Sequence, residues 1–256
     1  FNYNTTFTAT SNKNKIKKLA SDVKNPVSGE LMDLSDIKLG RFRLREGGEV
    51  GALYADRRVE KNDEGYIPYT PGQTIATENT TPFKIGTVNP KWNLGWRHGF
   101  NYKGINASVM FTARIGGNVI SKTQATLDRF GVSKASADAR EAGYVMLGNI
   151  KMKPQDYYGT IYDLDSYYVY SATNIRLQEA SIGYTLPNKW FGNVVKNVNI
   201  SVYGTNLWMI YNKAPYDPEL TASTGTFGQG YDYFMLPSSR TYGCLLYTSP
   251  SPRDRQ

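Results

Sequence analysis

Residues 94–115 constrain the fold more than any other stretch of this chain. Leu94, Trp96, His98, Phe100 and Tyr102 alternate with Asn93, Gly95, Arg97, Gly99 and Asn101. Lys103-Gly104 then allows a tight turn. Beyond it, Ile105, Ala107, Val109, Phe111, Ala113 and Ile115 alternate with Asn106, Ser108, Met110, Thr112 and Arg114. A period of two sustained over about ten residues on each arm is what a transmembrane β-strand requires. The same pattern serves a sandwich with one wet face, so alternation alone leaves both architectures open.

Other segments follow the rule less cleanly. Phe1, Tyr3, Thr5, Phe7 and Ala9 share one face, with Asn2, Asn4, Thr6 and Thr8 on the other. Ile175 and Leu177 share a phase that breaks near Glu179, after which Ala180, Ile182, Tyr184 and Leu186 take it up, as a β-bulge would produce. Val198, Ile200 and Val202 alternate with Asn199, Ser201 and Tyr203, and the strand continues to Ile210. A weaker strand is expected between Leu39 and Leu53. With the closing segment, the count is seven strands.

The connections are unequal. Lys103-Gly104 and the stretch from Pro187 are short, whereas residues 57–92, 117–173 and 211–236 are long, polar and rich in Tyr, Gly, Pro and Asp. Loops of such length are uncommon in compact domains and usually functional. Membrane barrels place short turns on one side and long loops on the other. The strand count puts the three long loops together and leaves residues 11–37 as a long link on the short-turn side. Within the second loop, TQATLDRFGV carries Leu127 and Phe130 three apart, which fits a short helix or a solvated turn.

No run of about 18 apolar residues is present, so no transmembrane helix is expected. The mean hydropathy of −0.49 does not oppose a barrel, whose strands meet lipid with every second side chain. The chain opens on FNYNTTFTAT, inside an alternating segment without initiator Met or signal peptide, and so reads as a fragment. The net charge of +8 is scattered. Only Lys13–Lys18, KNKIKK, forms a run, and nucleic acid is not an expected partner.

Catalytic chemistry is sparse. His98 is the single histidine and sits in an alternating strand, where a wall residue is expected. One histidine and one cysteine do not build the usual zinc sites or a Cys-His dyad. Asp163 and Asp165 are spaced like a glycosidase carboxylate pair but belong to a tyrosine-rich polar loop that accounts for them equally well. GGNV and EGGEV lack the strand–helix setting of a phosphate loop. No catalytic, cofactor or metal site is expected, and the chain is not read as an enzyme. Binding is the better-supported chemistry: Tyr157, Tyr158, Tyr162, Tyr167, Tyr168 and Tyr170 crowd one loop. They suit stacking on a sugar or contact with a peptide, and equally an aromatic girdle or packing within the loop.

Several stretches together resemble one family. FNYNTTFTATSNKNKIKKL, LREGGEVGALYADRRVEKNDEGY and IGTVNPKWNLGWRHGFNYKGINASVMFTARIGGNVIS occur in that order. ATNIRLQEASIGYTLPNKW, NVNISVYGTNLWMIYNKAPYDPEL and YDYFMLPSSRTYG follow. In sequence and order they resemble the C-terminal barrel region of the SusC/RagA type of TonB-dependent outer-membrane transporters from Bacteroidota, over Phe1 to Gly243. The resemblance implies an all-β, antiparallel, incomplete transmembrane barrel in the outer membrane. It also implies import of oligosaccharides or peptides without a cofactor, a SusD-like lipoprotein as lid, and TonB acting through a plug. The Asp217–Glu219 landmark would order its loop by local hydrogen bonds. The plug, TonB box and early strands have no counterpart here; seven strands compare with about 22 in plugged transporters.

The family pattern stops at Gly243, where a closing aromatic strand is expected. Residues 244–256, CLLYTSPSPRDRQ, instead resemble an in-frame translation of a transposase-end sequencing adapter, and are expected to be non-native. Without them the formal charge falls from +8 to +7 and no cysteine remains. Two other readings stay open at this level: a soluble carbohydrate-binding β-sandwich and a porin without TonB coupling.

Overall fold

The computed structural model describes residues 1–20, 22–32, 34–148, 150–190, 195–220 and 228–250. The chain begins with β1 (Asn2–Thr10). It continues through β2 (Asp36–Leu39), β3 (Phe42–Arg45), β4 (Ala52–Val59) and β5 (Thr77–Thr87). Then come β6 (Trp92–Tyr102), β7 (Ile105–Ile115), β8 (Asn118–Ser121), helices α1 (Lys122–Arg129) and α2 (Lys134–Ala142), β9 (Val145–Leu147) and β10 (Ile150–Met152). Helix α3 (Pro154–Ile161), β11 (Val169–Ser171), β12 (Asn174–Leu186), β13 (Val195–Asn212), β14 (Tyr231–Asp232) and β15 (Thr241–Pro250) complete it.

Six strands form one antiparallel sheet in the order β1-β6-β7-β12-β13-β15. The hairpin read from the sequence is its centre. Lys103 (φ 46°) and Gly104 (φ 89°) both adopt left-handed backbone, the requirement of the type I′ turn that matches strand twist. A side chain at Gly104 would also meet the Thr185 carbonyl at 2.8 Å. The phase switch is a bulge: β12 slips register against both neighbours between Leu177 and Glu179.

Register aligns the two faces across the sheet. Thr5, His98, Val109 and Ala180 stand opposite one another in consecutive strands. Phe7, Trp96, Phe111 and Leu177 make a second row. No second sheet covers this apolar face among the described residues: Trp96 is 49% exposed, Ile182 61% and Phe7 63%. A soluble sandwich would bury such a face, whereas a barrel turns it to lipid. Ten residue steps from Trp92 to Tyr102, at about 3.4 Å each and a tilt of about 40°, span about 26 Å, the height of a barrel's apolar band.

Two expectations change. Residues 39–53 do not add a wall strand, because β2–β5 form a separate four-stranded sheet in the order β2-β3-β4-β5. Since β1 pairs directly with β6, residues 11–91 leave and return at the same end of the wall. They are not a link on the short-turn side. The weak strand signal was real, but Asp36 paired with Arg43 at 2.6 Å belongs to a sheet wet on one face. All three long excursions therefore rise from one end, opposite Lys103-Gly104.

The last wall strand carries Cys244 to Thr248 as a continuation of β15. Its side chains do not sort by face: Leu245 stands opposite Ser201 and Tyr247 opposite Asn199, both on the polar face. An edge strand can pair through its backbone whatever its side chains, so hydrogen bonding is kept here while the inside–outside pattern is lost.

Candidate functional site: a polar wall beneath a packed loop cap

The second face of the six-stranded sheet is small and polar. Asn4, Thr6, Arg97, Gly99, Asn101, Asn106, Ser108, Ser181, Gly183, Asn199 and Ser201 line one concavity of about 550 Å³. Hydroxyl and amide groups link strand to strand: Ser108 and Ser181 Oγ lie 2.8 Å apart, and the Thr185 hydroxyl accepts from Asn106 (3.0 Å) and Asn199 (2.9 Å). Arg97 reaches across β7 to Glu179 at 3.6 Å. Short side chains leave room, and uncommitted donors and acceptors face the space, so the wall can meet a hydrated polar body.

At the loop end of this wall the residues of two motifs meet. Arg176, on β12 just before the bulge, is almost fully enclosed. Its guanidinium donates to both oxygens of Asp217 (2.8 and 3.4 Å), lies 3.3 Å from Glu219, and donates to Asn206 Oδ1 at 3.2 Å. Asn206 adopts φ 53°, which asparagine tolerates better than most residues. Asn174 donates to Glu219 (3.2 Å), Ser238 Oγ donates to Asp217 (2.6 Å), and the Glu219 amide donates to Asp217 (3.0 Å). Burial works to raise the Asp217 carboxyl pKa, but hydrogen bonds from Arg176, Ser238 and the Glu219 amide outweigh it and hold it below the usual carboxylate range. The pair ties the 213–240 excursion to the wall.

The excursions then pack on one another. Val59 and Ile75 from the first share a core with Leu147, Met152 and Leu164 from the second. Phe42, Leu53 and Val88 from the first pack on Ile120 of the second, with Tyr231 of the third against them. Polar contacts repeat the connection: Tyr69 Oη donates to Asp156 (2.8 Å), as does the Gly72 amide (2.9 Å), and the Ile75 amide donates to Thr160 (2.9 Å). Arg41 pairs with Asp165 at 2.7 Å and lies 4.0 Å above the Tyr231 ring, touching both other excursions at once.

The tyrosine cluster falls inside this cap. Tyr158 and Tyr168 are buried with Ala125 and Ile161, and Tyr157, Tyr162 and Tyr170 pack against them. Tyr157 and Tyr158 meet edge to face at 5.1 Å. The Tyr162 ring lies under Lys122 (3.6 Å) and Arg129 (4.3 Å). Only Tyr167 of the group is substantially exposed. Burial raises the phenol pKa of Tyr157, Tyr158, Tyr167, Tyr168 and Tyr170, so these rings stay neutral.

The expected helix is α1, capped by Ser121 Oγ accepting from the Gln124 amide at 3.0 Å. Helices α2 and α3 were not expected. Their signals were local: Ser133 and Ser136 form a capping box for α2, and Pro154 opens α3. Asp163 and Asp165 face different cations, Lys122 at 3.7 Å and Arg41 at 2.7 Å. His98 lies on the apolar face, its Nδ1 2.7 Å from Tyr3 Oη and its ring 4.3 Å from Trp96. GGNV (116–119) joins β7 to β8 through two left-handed glycines, and EGGEV (46–50) is a turn held to Ile16 by two backbone hydrogen bonds of 2.8 Å.

Comparison with known proteins shows what the wall resembles. No family model matches the chain. It is 26% identical over 272 residues to TonB-dependent receptor P3 of Formosa agariphila, covering 94% of this chain and 26% of that protein. Its fold matches the RagAB peptide importer in the closed-closed state with a TM-score of 0.63 at 18% identity, over 96% of this chain and 27% of the other. The open-open state of that importer gives a TM-score of 0.58 at 18% identity, over 94% and 26%. In sequence this chain is similar to a TonB-dependent receptor, and in fold to the barrel of the RagAB importer. It spans about a quarter of the length of the relatives it matches. As barrel wall, the fold that this likeness shows, the sheet has its polar concavity as the inward face and its apolar face as the outward one. No helix among the described residues is long and apolar enough to cross a membrane.

Proposed function

We propose that this chain supplies late barrel wall and outer loops to an outer-membrane importer of oligosaccharides or peptides that works with a SusD-like lipoprotein and is driven by TonB. The observation that carries the reading is the segregation of the sheet. One face is apolar and exposed, the other is a concave row of Asn, Ser and Thr, and all three long excursions gather at one end. Transport needs a polar path through an apolar layer, and strands that alternate in this way provide one. The relatives are named as a receptor and as a peptide importer, which supports the class of activity. The lining of amide and hydroxyl groups suits sugar hydroxyls and peptide groups alike. A cap with its own core gives a lid a firm rim to close on, and exposed Tyr167 is a candidate contact there. Tyr157, Tyr158, Tyr162 and Tyr168 are proposed to act by shaping that rim.

Deletion of the full-length gene in its host tests the reading. Loss of growth on one glycan or peptide source, restored by the gene but not by a copy lacking its TonB-contacting segment, is expected. Growth unchanged on every such source would contradict it. Residues 244–256 are proposed to be non-native, and long-read sequencing of the locus should replace them with an aromatic-terminated strand.

A further inference from the structure

The lysine run just after β1 has no role in the reading above, and the structure gives it a particular place. Lys13 and Lys91 line a cleft of about 660 Å³ with Ser11, Asn12, Asn14, Asn89 and Trp92, at the end of the wall where the excursions begin. The segment is held in place. Asn14 uses both amide atoms on Val50, accepting from its amide (2.7 Å) and donating to its carbonyl (3.3 Å). The Leu19 amide donates to Glu46 at 2.9 Å. Asn14 is thus anchored to Val50, and Lys13, Lys15, Lys17 and Lys18 are exposed. None of these four, nor Lys91, has an ion-pair partner among the described residues. Glu49, the one acid lining the cleft, is already paired with Lys84.

The cleft also sits at a defined depth. Trp92 opens β6 on the same face as Leu94 and Trp96 and is 47% exposed, at the upper limit of the apolar band derived above. A tryptophan at that level with unpaired lysines beside it is the arrangement that meets lipid headgroups, the ring at the interface and the ammonium groups on the anionic layer. Resting on the reading of this face as lipid-facing, we propose that Lys13 and Lys91 bind the phosphate of a membrane lipid in the loop-side leaflet, with Trp92 against its acyl base. Charge complementarity, and the continuity of Trp92 with the apolar band, favour a lipid over a protein occupant.

The test uses the full-length receptor in detergent, with a fluorescent phosphatidic acid as probe. Wild type is compared with the K13Q/K91Q variant and with K24Q/K61Q, which removes equal charge elsewhere. Phosphatidic acid binding should weaken at least tenfold in the first variant and stay within twofold in the second. Phosphatidylcholine and millimolar inorganic phosphate should compete poorly. Equal weakening in both variants, or inorganic phosphate competing as well as the lipid, would overturn the proposal. Heat-modifiable gel mobility, read on the same samples, separates this from failure of the barrel reading: a barrel that forms but ignores the lysines refutes only the lipid site.

Discussion

Arg176 and Asp217 lie 41 residues apart and meet through two hydrogen bonds, of 2.8 and 3.4 Å, with both side chains almost withdrawn from solvent. They join a wall strand to the excursion that follows the next strand. Removing one partner of such a pair leaves a buried charge alone, which costs about 3–5 kcal/mol. R176A should therefore raise hydrogen exchange at the Glu219 amide by several hundredfold in the full-length receptor. D217N, which keeps the shape and one acceptor oxygen, should raise it less. Protection unchanged in R176A would show that the pair does not hold the loop.

The same pair sets a pH dependence. The Asp217 carboxyl titrates lower in the folded loop than the unfolded value of about 3.9. Its contribution is thus fully present above the unfolded pKa and fades as pH falls through the folded one. Proteolytic nicking of residues 213–240 should stay constant from neutral pH down to about 5 and rise below about 4. A rise centred near pH 6 would point to a different group.

Tyr69 and Asp156 test whether the cap is one packed unit. Y69F removes one of two described donors to a buried carboxylate oxygen, worth about 1–3 kcal/mol. Cleavage should then increase in both 60–76 and 145–161, because they share a core. An increase confined to 60–76 would mean that the excursions move independently.

The wall was legible in the sequence because strand periodicity is a local property: Leu94 to Ile115 show both faces and the turn without reference to anything distant. Even the bulge announced itself as a change of phase at Glu179. The cap was not legible, because its order comes from contacts between excursions far apart in the chain. Nothing around Tyr69 names Asp156 as its partner, and nothing around Arg41 names Asp165. The same gap misplaced residues 11–53: the strand pattern was visible, but only the pairing of β1 with β6 shows that they lie outside the wall. Tyrosines crowded at 157–170 looked equally suited to ligand and to core, and only their burial separates them. Helices α2 and α3 left capping signals at Ser133 and Pro154 that a closer local reading finds.

On the two faces of β7, neighbouring residues should respond oppositely to charge. Val109 stands in the row with His98 and Ala180 near mid-height, where arginine facing lipid costs about 2–4 kcal/mol. V109R should lower urea resistance of the reconstituted receptor by that amount. S108R, one residue away on the polar face, should cost under about 1 kcal/mol, within the range of ordinary surface substitutions.

Site-directed spin labelling along β7, from Asn106 to Ile115, in the membrane-reconstituted full-length receptor tests the central claim most directly. The account predicts an accessibility to oxygen that peaks at 107, 109, 111 and 113, with access to a water-soluble nickel reagent peaking at 106, 108 and 112. Oxygen and nickel access that rise and fall together, or show no period of two, would contradict a wall with one face to lipid and the other to a polar lumen.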